Sequence, residues 1–254
     1  MITAGIDVGL AYTKAVILKD GKVAGKACGL SGGAGRPAAV KAVYEKALAD
    51  AGIKASDVEK VFATGKGKFD VDFADDKLTE AVVAAKAAKL FDPKATTVVD
   101  MGADEIVVAT LEGDKITEFV INEKCGAGIG LFMEDFADRF EMTLEELGAL
   151  EGPLTVTVND GCIVFAELDA LSLINRGTCV KEVGKAINDA CAWRANRAIN
   201  DIYRPALDCV VLLGGLVKNG AFLKALEKAS GLKYVVPEDA VFGGAIGAAA
   251  LAAG

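Results

Sequence analysis

The feature that most constrains the fold is a motif that occurs twice. A strand-like segment ends in Asp-x-Gly, and two further strand-like segments joined by a turn follow it, first at Asp7 and again at Asp100. Around the first copy, residues 1–18 have the pattern of a strand, a Gly turn and a second strand, and a hairpin turn at 19–22 leads to a third. Internal repetition of this kind predicts two similar lobes that face one cleft.

The composition favours helices packed on buried sheets. Hydrophobic residues make up 52% of the 254 residues but aromatic residues only 6%, so the apolar content is mostly Ala, Val, Leu and Ile. Such aliphatic runs are typical of parallel strands that are covered on both faces. Periodicity predicts a strand over 209–213 and a C-terminal helix from near 243. Further helices are predicted over 38–51, 78–90, 130–140, 144–150, 163–175 and 181–202.

Charge and composition exclude several classes of function. The chain contains no histidine, which excludes Ser–His and Cys–His catalysis and His-ligated zinc. The net charge is −8, so nucleic acid is not expected as a partner. The N-terminus does not resemble a secretory peptide, and the longest weakly charged stretch, 240–254, is short and Gly-rich for a membrane span. We therefore expect a cytoplasmic protein with no membrane partner.

The first copy of the motif has the composition of a phosphate site. Gly-Ile-Asp-Val-Gly over residues 5–9 places Asp7 at a strand end, where a carboxylate can hold a hydrated Mg²⁺. Gly9 allows backbone amides to approach phosphate oxygens, and Thr13 and Lys14 can add donors. The alternative is an ordinary hairpin in which the aspartate caps the turn.

The second copy is more acidic. Asp100, Asp104 and Glu105 fall within six residues, and such a cluster is costly unless a cation or solvent relieves the repulsion. A solvated acidic turn is the alternative, but the same setting as Asp7 favours a metal–phosphate role, in which Gly102 and Ala103 contact phosphate.

A third glycine site follows an aliphatic strand. Val-Val-Leu-Leu over residues 210–213 leads into Gly214-Gly215, where the missing side chains would let a base or ribose lie against the backbone. Helix packing uses the same dipeptide, so its position after two phosphate candidates is what gives it meaning. The chain lacks a Walker-type Gly-x-x-x-x-Gly-Lys-Ser/Thr motif.

Two cysteines stand out among six. Cys125 and Cys162 each lie in a Gly-containing turn directly before a predicted helix, whose N-terminus lowers the pKa of a thiol and favours an anionic cluster. Two thiolates cannot complete a four-thiolate cluster in one chain, but a two-fold dimer would supply four. The remaining cysteines are interpreted as inert core residues, at positions 28, 179, 191 and 209.

These motifs resemble the activator ATPases of the 2-hydroxyacyl-CoA dehydratase and benzoyl-CoA reductase systems. Residues 5–14 follow most of that family's Gly-Ile-Asp-x-Gly-Ser-x-x-x-Lys, and 64–67 resemble its Thr-Gly-Tyr-Gly turn. Residues 122–130 are close to Asn-Asp-Lys-Cys-Ala-Ala-Gly-Thr-Gly, and 162–167 to Cys-Thr-Val-Phe-Ala-Glu. The last two matches are specific, because both cysteines occur in their full sequence context.

The resemblance implies an α/β fold of the acetate and sugar kinase/Hsp70/actin superfamily. It has two duplicated actin/Hsp70-like (ribonuclease H-like) lobes with a nucleotide cleft between them. We place the first lobe at 1–95, completed by the helix in 240–254, and the second at 96–239. ATP/ADP with Mg²⁺ would lie in the cleft, with Asp7 and Asp100 organising the metal and Gly214 and Gly215 bordering the adenosine.

The same resemblance implies a homodimer that shares one 4Fe–4S cluster through Cys125 and Cys162. Nucleotide binding and hydrolysis would move the helices at the cluster, and one low-potential electron would pass to a partner. The acceptor would be an iron–sulfur dehydratase or reductase, such as a 2-hydroxyacyl-CoA dehydratase, a benzoyl-CoA reductase or a double-cubane cluster protein. The donor would be ferredoxin or flavodoxin.

Two departures from the family pattern concern the phosphate side. The family's Asp-x-Gly-Gly-Gln-Asp is replaced here by Asp-Met-Gly-Ala-Asp-Glu over 100–105, so either Asp104 or Glu105 serves the metal or the attacking water. Leu10 occupies the position of the usual small hydroxyl residue. A small-molecule kinase, which would leave both cysteine motifs unexplained, and a nucleotide-sensing scaffold that uses ATP only to switch partners remain alternatives.

Overall fold

The computed structural model describes residues 1–122, 128–202 and 207–254. Within these ranges the chain forms two five-stranded mixed sheets and eight α-helices. One sheet comes from each copy of the repeated motif, which confirms the predicted duplication.

The first sheet has the order β3-β2-β1-β4-β5. Its central strand β1 pairs antiparallel with β2 and parallel with β4. The strands of this sheet are β1 (Ile2–Val8), β2 (Tyr12–Lys19), β3 (Lys22–Leu30), β4 (Lys60–Thr64) and β5 (Asp76–Lys77).

The second sheet repeats that order as β8-β7-β6-β9-β10. Its central strand β6 pairs antiparallel with β7 and parallel with β9, as β1 does with β2 and β4. The strands of this sheet are β6 (Thr97–Met101), β7 (Ile106–Glu112), β8 (Lys115–Asn122), β9 (Val210–Leu213) and β10 (Tyr234–Val235).

The register makes the two aspartates equivalent. Asp7 pairs with Lys14 across the β1–β2 hairpin, and Asp100 pairs with Val107 across β6–β7. Both carboxylates therefore lie at the carboxyl end of a central strand, where parallel neighbours leave a crevice for ligands.

Seven of the eight helices in the described residues lie close to predicted positions, whereas no helix was predicted over 220–230. Their bounds are α1 (Arg36–Ala51), α2 (Glu80–Phe91), α3 (Ile129–Arg139), α4 (Leu144–Gly148), α5 (Ile163–Asn175), α6 (Val180–Asn200), α7 (Gly220–Ser230) and α8 (Gly243–Ala252). Local signals explain several ends. A left-handed Gly52 ends α1, and Thr143 begins α4 with a capping box completed by Glu146.

The Ala-rich helices α2 and α8 lie between the two sheets. A Cβ at Gly5 would collide with the α8 backbone at Ala245, and Thr3 Oγ1 donates a 2.8 Å hydrogen bond to the Ala249 carbonyl. A Cβ at Gly247 would collide with the Val83 carbonyl of α2. The small residues of α8 therefore let it pack directly on β1 and on α2.

The alanines of α2 pack with residues of the second sheet, including Val98 and Val211, although α2 precedes residue 96. The division of the chain into a first lobe of 1–95, completed by 240–254, and a second lobe of 96–239 is therefore a proposal.

The largest core lies under the second sheet. Side chains of α3 and α6, such as Phe132, Phe136 and Ile187, pack there against β6 and β9. This helical layer is an insertion between β8 and β9, and it includes the Cys162 motif at the start of α5. Of the described residues, none belongs to a helix that is both long and apolar enough to cross a bilayer.

Candidate functional site

A cleft of about 410 Å³ lies where the strand ends of the two sheets meet. That volume is within the range of ordinary small-molecule sites. The cleft brings together most of the predicted phosphate and adenosine residues, which are Asp7, Gly9, Lys14, Asp100, Gly102, Ala103, Asp104, Glu105, Gly214 and Gly215.

Asp7 and Lys14 form an ion pair inside the cleft. The Lys14 ammonium lies 3.2 Å from Asp7 Oδ2, and both side chains are less than one-fifth exposed. Burial alone would lower the pKa of Lys14, but the nearby carboxylates of Asp7 and Asp100 raise it above its usual value. Lys14 is therefore a permanent cation at the floor of the cleft.

Asp100 is in the opposite situation. Its hairpin partner is the aliphatic Val107, and burial together with the negative charge of Asp7 raises its pKa from 3.8 to about 7, against the opposing effect of Lys14. Asp100 thus holds a proton near neutral pH more readily than an ordinary carboxyl group, and a divalent cation would displace that proton.

The two glycine turns close themselves with their own amides. The Gly9 N–H donates to the Tyr12 carbonyl and the Gly102 N–H to the Glu105 carbonyl, both at 3.0 Å. These two amides are used within the turns, so the glycines' own N–H groups already have acceptors there.

Thr13 does not line the cleft. It is fully buried, and its hydroxyl lies 3.1 Å from Ser31 Oγ, which in turn donates to the Gly9 carbonyl at 2.7 Å. Thr13 and Ser31 therefore support the first turn from beneath. The alternation of β2 contained this information, because Thr13 and Lys14 must point to opposite faces of the sheet.

Each lobe places a left-handed glycine against its aspartate. Gly65 follows β4 and Gly214 follows β9, with φ values of 85° and 93°. A Cβ would lie 2.7 Å from Asp7 Oδ1 at Gly65 and 2.6 Å from Asp100 Oδ1 at Gly214. Any side chain would therefore enter the space of the carboxylate, and Gly214 is needed for packing as well as for an open surface.

An ion triad spans the cleft. Lys66, in the turn after β4, places its ammonium 3.3 Å from Asp104 Oδ2 and 3.3 Å from Glu105 Oε2 of the other lobe. The sequence predicts no role for Lys66 beyond its place in the turn over 64–67. No local pattern relates it to residues about forty positions away, and the contact arises only because the two sheets face each other.

Further acidic and aromatic residues at the cleft were missed. Glu80 is at the start of α2, lies 3.4 Å from Lys68 and contributes to the high pKa of Asp100. Tyr12 and Glu134 come from opposite lobes, and the charge of Glu134 raises the pKa of Tyr12. An acidic residue in the first turn of a helix was the available signal for Glu80.

The head of α3 packs directly on the second glycine turn. A Cβ at Gly128 would collide with the Ala103 carbonyl, and a Cβ at Gly130 would lie 2.8 Å from Ala103 Cα. The Leu131 N–H donates to the Ala103 carbonyl at 3.0 Å. The glycines of the Cys125 motif thus join the start of α3 to the turn that carries Asp104.

Comparison with known proteins agrees with this geometry. A model of the BadF/BadG/BcrA/BcrD ATPase family matches residues 4–252. The chain belongs to that family. An activator of lactoyl-CoA dehydratase from Anaerotignum propionicum is 35% identical to this chain. The match covers 98% of this chain and 96% of the activator. This confirms the resemblance drawn from the motifs.

Two solved structures of the same group share the fold. The Acidaminococcus fermentans (R)-2-hydroxyglutaryl-CoA dehydratase component A has a TM-score of 0.90 at 31% identity, over 99% of this chain and 97% of that one. The activator of 2-hydroxyisocaproyl-CoA dehydratase from Clostridium difficile, with bound ADPNP, has a TM-score of 0.89 at 28% identity, over 99% and 94%. The predicted two-lobed actin-like fold is confirmed.

The Cys162 turn is held rigidly at the start of α5. Asn159 Oδ1 accepts the N–H groups of Gly161 at 2.9 Å and Cys162 at 2.7 Å, and the Asn159 N–H donates to Asp169 Oδ2 of α5. Arg197 of α6 donates to the Asp160 carbonyl and pairs with its carboxylate, both at 2.6 Å. Cys125 lies outside the described residues.

The other four cysteines only partly follow the interpretation as core residues. Cys191 is buried, and burial raises the pKa of its thiol to about 12, so it is inert. Cys209 is partly exposed. Cys28 and Cys179 are exposed, and Cys28 lines the cleft, so the prediction is wrong for both. The alternation of a half-covered edge strand places Cys28 on its open face.

Within 1–122, 128–202 and 207–254, no three His, Cys, Asp or Glu side chains lie close enough together to hold a metal ion by themselves. Mg²⁺ commonly uses only one or two carboxylates and completes its shell with water and phosphate oxygens. The paired approach of Asp7 and Asp100 is compatible with that mode of binding.

Proposed function

We propose that this chain binds and hydrolyses Mg–ATP in the cleft and acts as the ATP-dependent activator of a partner iron–sulfur enzyme. Membership of an ATPase family and the dehydratase activators among its relatives support this proposal. The partner would be a 2-hydroxyacyl-CoA dehydratase or a related reductase, with ferredoxin or flavodoxin as electron donor.

In the proposed site, Asp7 and Asp100, which come from opposite lobes, would hold a hydrated Mg²⁺. Lys14 neutralises charge on the phosphates, and the amides that follow Gly9 and Gly102 donate to phosphate oxygens. Asp104 or Glu105 serves the metal or orients the attacking water. This arrangement places fixed donors and cations where negative charge develops during phosphoryl transfer, which is the largest source of rate enhancement in such reactions.

The adenosine would lie against the turn after β9. Gly214 and Gly215 border the cleft together with Leu216 and Asn219. A Cβ at Gly215 would meet no atom within 4 Å, so the surface beside it is open to a planar ring. Asn219 begins α7 by accepting the Phe222 N–H at 2.8 Å, which fixes this wall.

One observation carries the coupling of hydrolysis to electron transfer. Through Gly128 and Gly130, the head of α3 is in backbone contact with Ala103, and Cys125 lies only three residues before Gly128 in the sequence. A movement of the phosphate turn on hydrolysis must therefore move the start of α3. In packed interfaces such shifts are transmitted as rigid displacements rather than absorbed.

We propose that Cys125 and Cys162 bind one 4Fe–4S cluster shared by two copies of the chain. Cys162 fits this role, since it is a partly exposed thiol at a helix N-terminus whose turn is already fixed. The neighbouring face of α5 exposes Val164, Phe165 and Leu168, each more than half accessible, which suits burial against a second copy. Once bound, the cluster supplies one low-potential electron.

Anaerobic purification and iron reconstitution test the proposal. We expect a brown homodimer with about four irons, as two cysteines per copy require, and ATP hydrolysis that depends on Mg²⁺. Cys162→Ser should abolish the colour. Cys179→Ser is the matched control, because Cys179 is also an exposed thiol at the start of a helix and should leave the iron content unchanged.

A colourless wild-type protein that releases ADP only in the presence of a small-molecule acceptor would favour a kinase instead. Iron retained in the Cys162→Ser variant would disprove the ligand assignment while leaving the ATPase intact.

A further inference from the structure

Lys66 has an unusual position in the cleft. It belongs to the turn after β4 in the first lobe, yet it forms ion pairs with Asp104 and Glu105, which belong to the second lobe. Its side chain is 34% exposed and those of its partners 19% and 16%. The triad is therefore a polar bridge across the phosphate end of the cleft, screened from bulk solvent more than a surface ion pair is.

The charge balance of the cleft gives this bridge a consequence. Among the described residues that line it, carboxylates outnumber lysines, and Lys14 is already paired with Asp7. Asp104 and Glu105 are adjacent in sequence and share one ammonium at equal distances. Without a cation they would repel each other and any phosphate that enters.

A divalent metal and an ammonium compete when they need the same oxygens. Mg²⁺ prefers carboxylate oxygens, directly or through water, and an ammonium at 3.3 Å from both carboxylates occupies the same acceptors. Binding of metal–nucleotide at this end of the cleft must therefore release the Lys66 bridge. Metal-free nucleotide does not require these carboxylate oxygens. Its phosphates are repelled less when Lys66 neutralises the two carboxylates.

We propose that Lys66 is a positioning residue that bridges the lobes and competes with the nucleotide-bound metal for Asp104 and Glu105. The bridge holds the two carboxylates in place without metal and is exchanged for Mg²⁺ when Mg–nucleotide binds. The proposal rests on the nucleotide site proposed above. It assigns to Lys66 a role in the metal preference of that site, distinct from contact with phosphate.

The test compares ADP binding with Mg²⁺ and with excess chelator, by isothermal titration calorimetry on the whole dimer. In Lys66→Met the two carboxylates lose their ammonium, so metal-free ADP should bind more weakly and Mg–ADP more tightly. The dissociation constant for metal-free ADP divided by that for Mg–ADP should therefore rise about five- to tenfold over the wild type. A change of this size lies within the usual range of coupling between two ligands. Lys66→Arg should restore the wild-type ratio, because it retains the charge.

Lys26→Met is the matched control. Lys26 is ion-paired with Asp239 outside the cleft, and its loss should leave the ratio unchanged. If Lys66→Met is recovered unfolded, as judged by its melting curve, Lys66→Gln carries the same expectation.

Three outcomes overturn the bridge. An equal loss of affinity for both forms would mean that Lys66 only contacts phosphate, and an unchanged ratio would mean that the triad is structural. A wild-type protein that binds no adenine nucleotide would remove the proposed function along with it, whereas the first two results leave that function standing.

Discussion

The two lobes share one topology but differ in how each treats its central aspartate. Asp7 has Lys14 opposite it in the hairpin and forms an ion pair at 3.2 Å. Asp100 has Val107 at the equivalent position, and its pKa rises to about 7. Duplication therefore reproduced the backbone, while the surroundings of the two carboxylates differ: Asp7 has a cation opposite it, whereas burial and the charge of Asp7 raise the pKa of Asp100. One lobe supplies an ion pair and the other a carboxyl group that a metal can complete.

The largest expected effect tests what the lobes have in common. Gly65→Ala and Gly214→Ala should each fail to accommodate a methyl group, because φ is positive and the Cβ would enter the space of Asp7 or Asp100. Strain and overpacking together amount to about 3–5 kcal/mol. We expect Tm losses of about 10 °C or more, as measured by thermal denaturation.

Gly215→Ala is the control for that pair. A Cβ there meets nothing within 4 Å, so its Tm should remain within about 2 °C of the wild type. If the Gly214→Ala and Gly215→Ala variants had the same Tm, the left-handed conformation that Gly214 shares with Gly65 would contribute nothing measurable to stability.

The next prediction breaks the comparison between the aspartates. Asp7→Asn leaves the mostly buried Lys14 without its partner, so its Tm should fall by a few degrees at pH 8. Asp100→Asn removes a carboxylate that folding must desolvate, so its Tm should rise by a similar amount. Both variants should lose most of their Mg²⁺-dependent ATP hydrolysis, and shifts of the same sign would contradict the difference between the lobes.

The pH dependence of that stability difference follows from the raised pKa of Asp100. The pKa of Asp100 is 3.8 in the unfolded chain and about 7 in the folded protein. The stability that protonated Asp100 contributes is therefore fully present below about pH 4 and is lost as the pH rises through 7. Asp100→Asn keeps this contribution at every pH. Its Tm advantage should therefore grow between pH 5 and 7 and stay constant above, as melting curves in a buffer series would show.

Metal binding should respond to the same proton. Because Mg²⁺ needs the Asp100 carboxylate, the affinity for Mg–ADP relative to metal-free ADP should rise up to about tenfold per pH unit below 7 and level off above it. Calorimetry in buffers of different ionisation enthalpy would reveal the released proton. In Asp100→Asn the dependence should flatten, and an unchanged slope would exclude Asp100 as its source.

The smallest effect concerns a region that the first lobe lacks. Arg197→Met removes the contact to Asp160 beside Cys162, but both side chains are about half exposed, so stability should change by less than about 1 kcal/mol. We expect faster bleaching of the reconstituted protein in air. Arg194→Met, one turn earlier on α6, should bleach at the wild-type rate, and equal rates in all three proteins would show that Arg197 does not support Cys162.

Much of the site was predictable because its signals are local. Asp7 and Asp100 are marked by a strand end followed by Gly, and the period of 163–175 matches α5 at both ends. The two-residue strands β5 and β10 were missed, since so short a segment has no periodicity to detect. The exposure of Cys28 was missed because a free cysteine by itself does not reveal which face of an edge strand is covered.

By itself the sequence determined the duplication, the longer strands and most of the helices, and the identity of the carboxylates and thiols, because each of these depends on neighbours within one turn or hairpin. The helix α7 and the two-residue strands β5 and β10 were not among its predictions. Tertiary structure alone decided that Lys66 meets Asp104 and Glu105 and that α3 rests on Ala103. The physical reason is that these contacts join segments that are far apart in the chain, and neither propensity nor periodicity in one segment contains the position of the other.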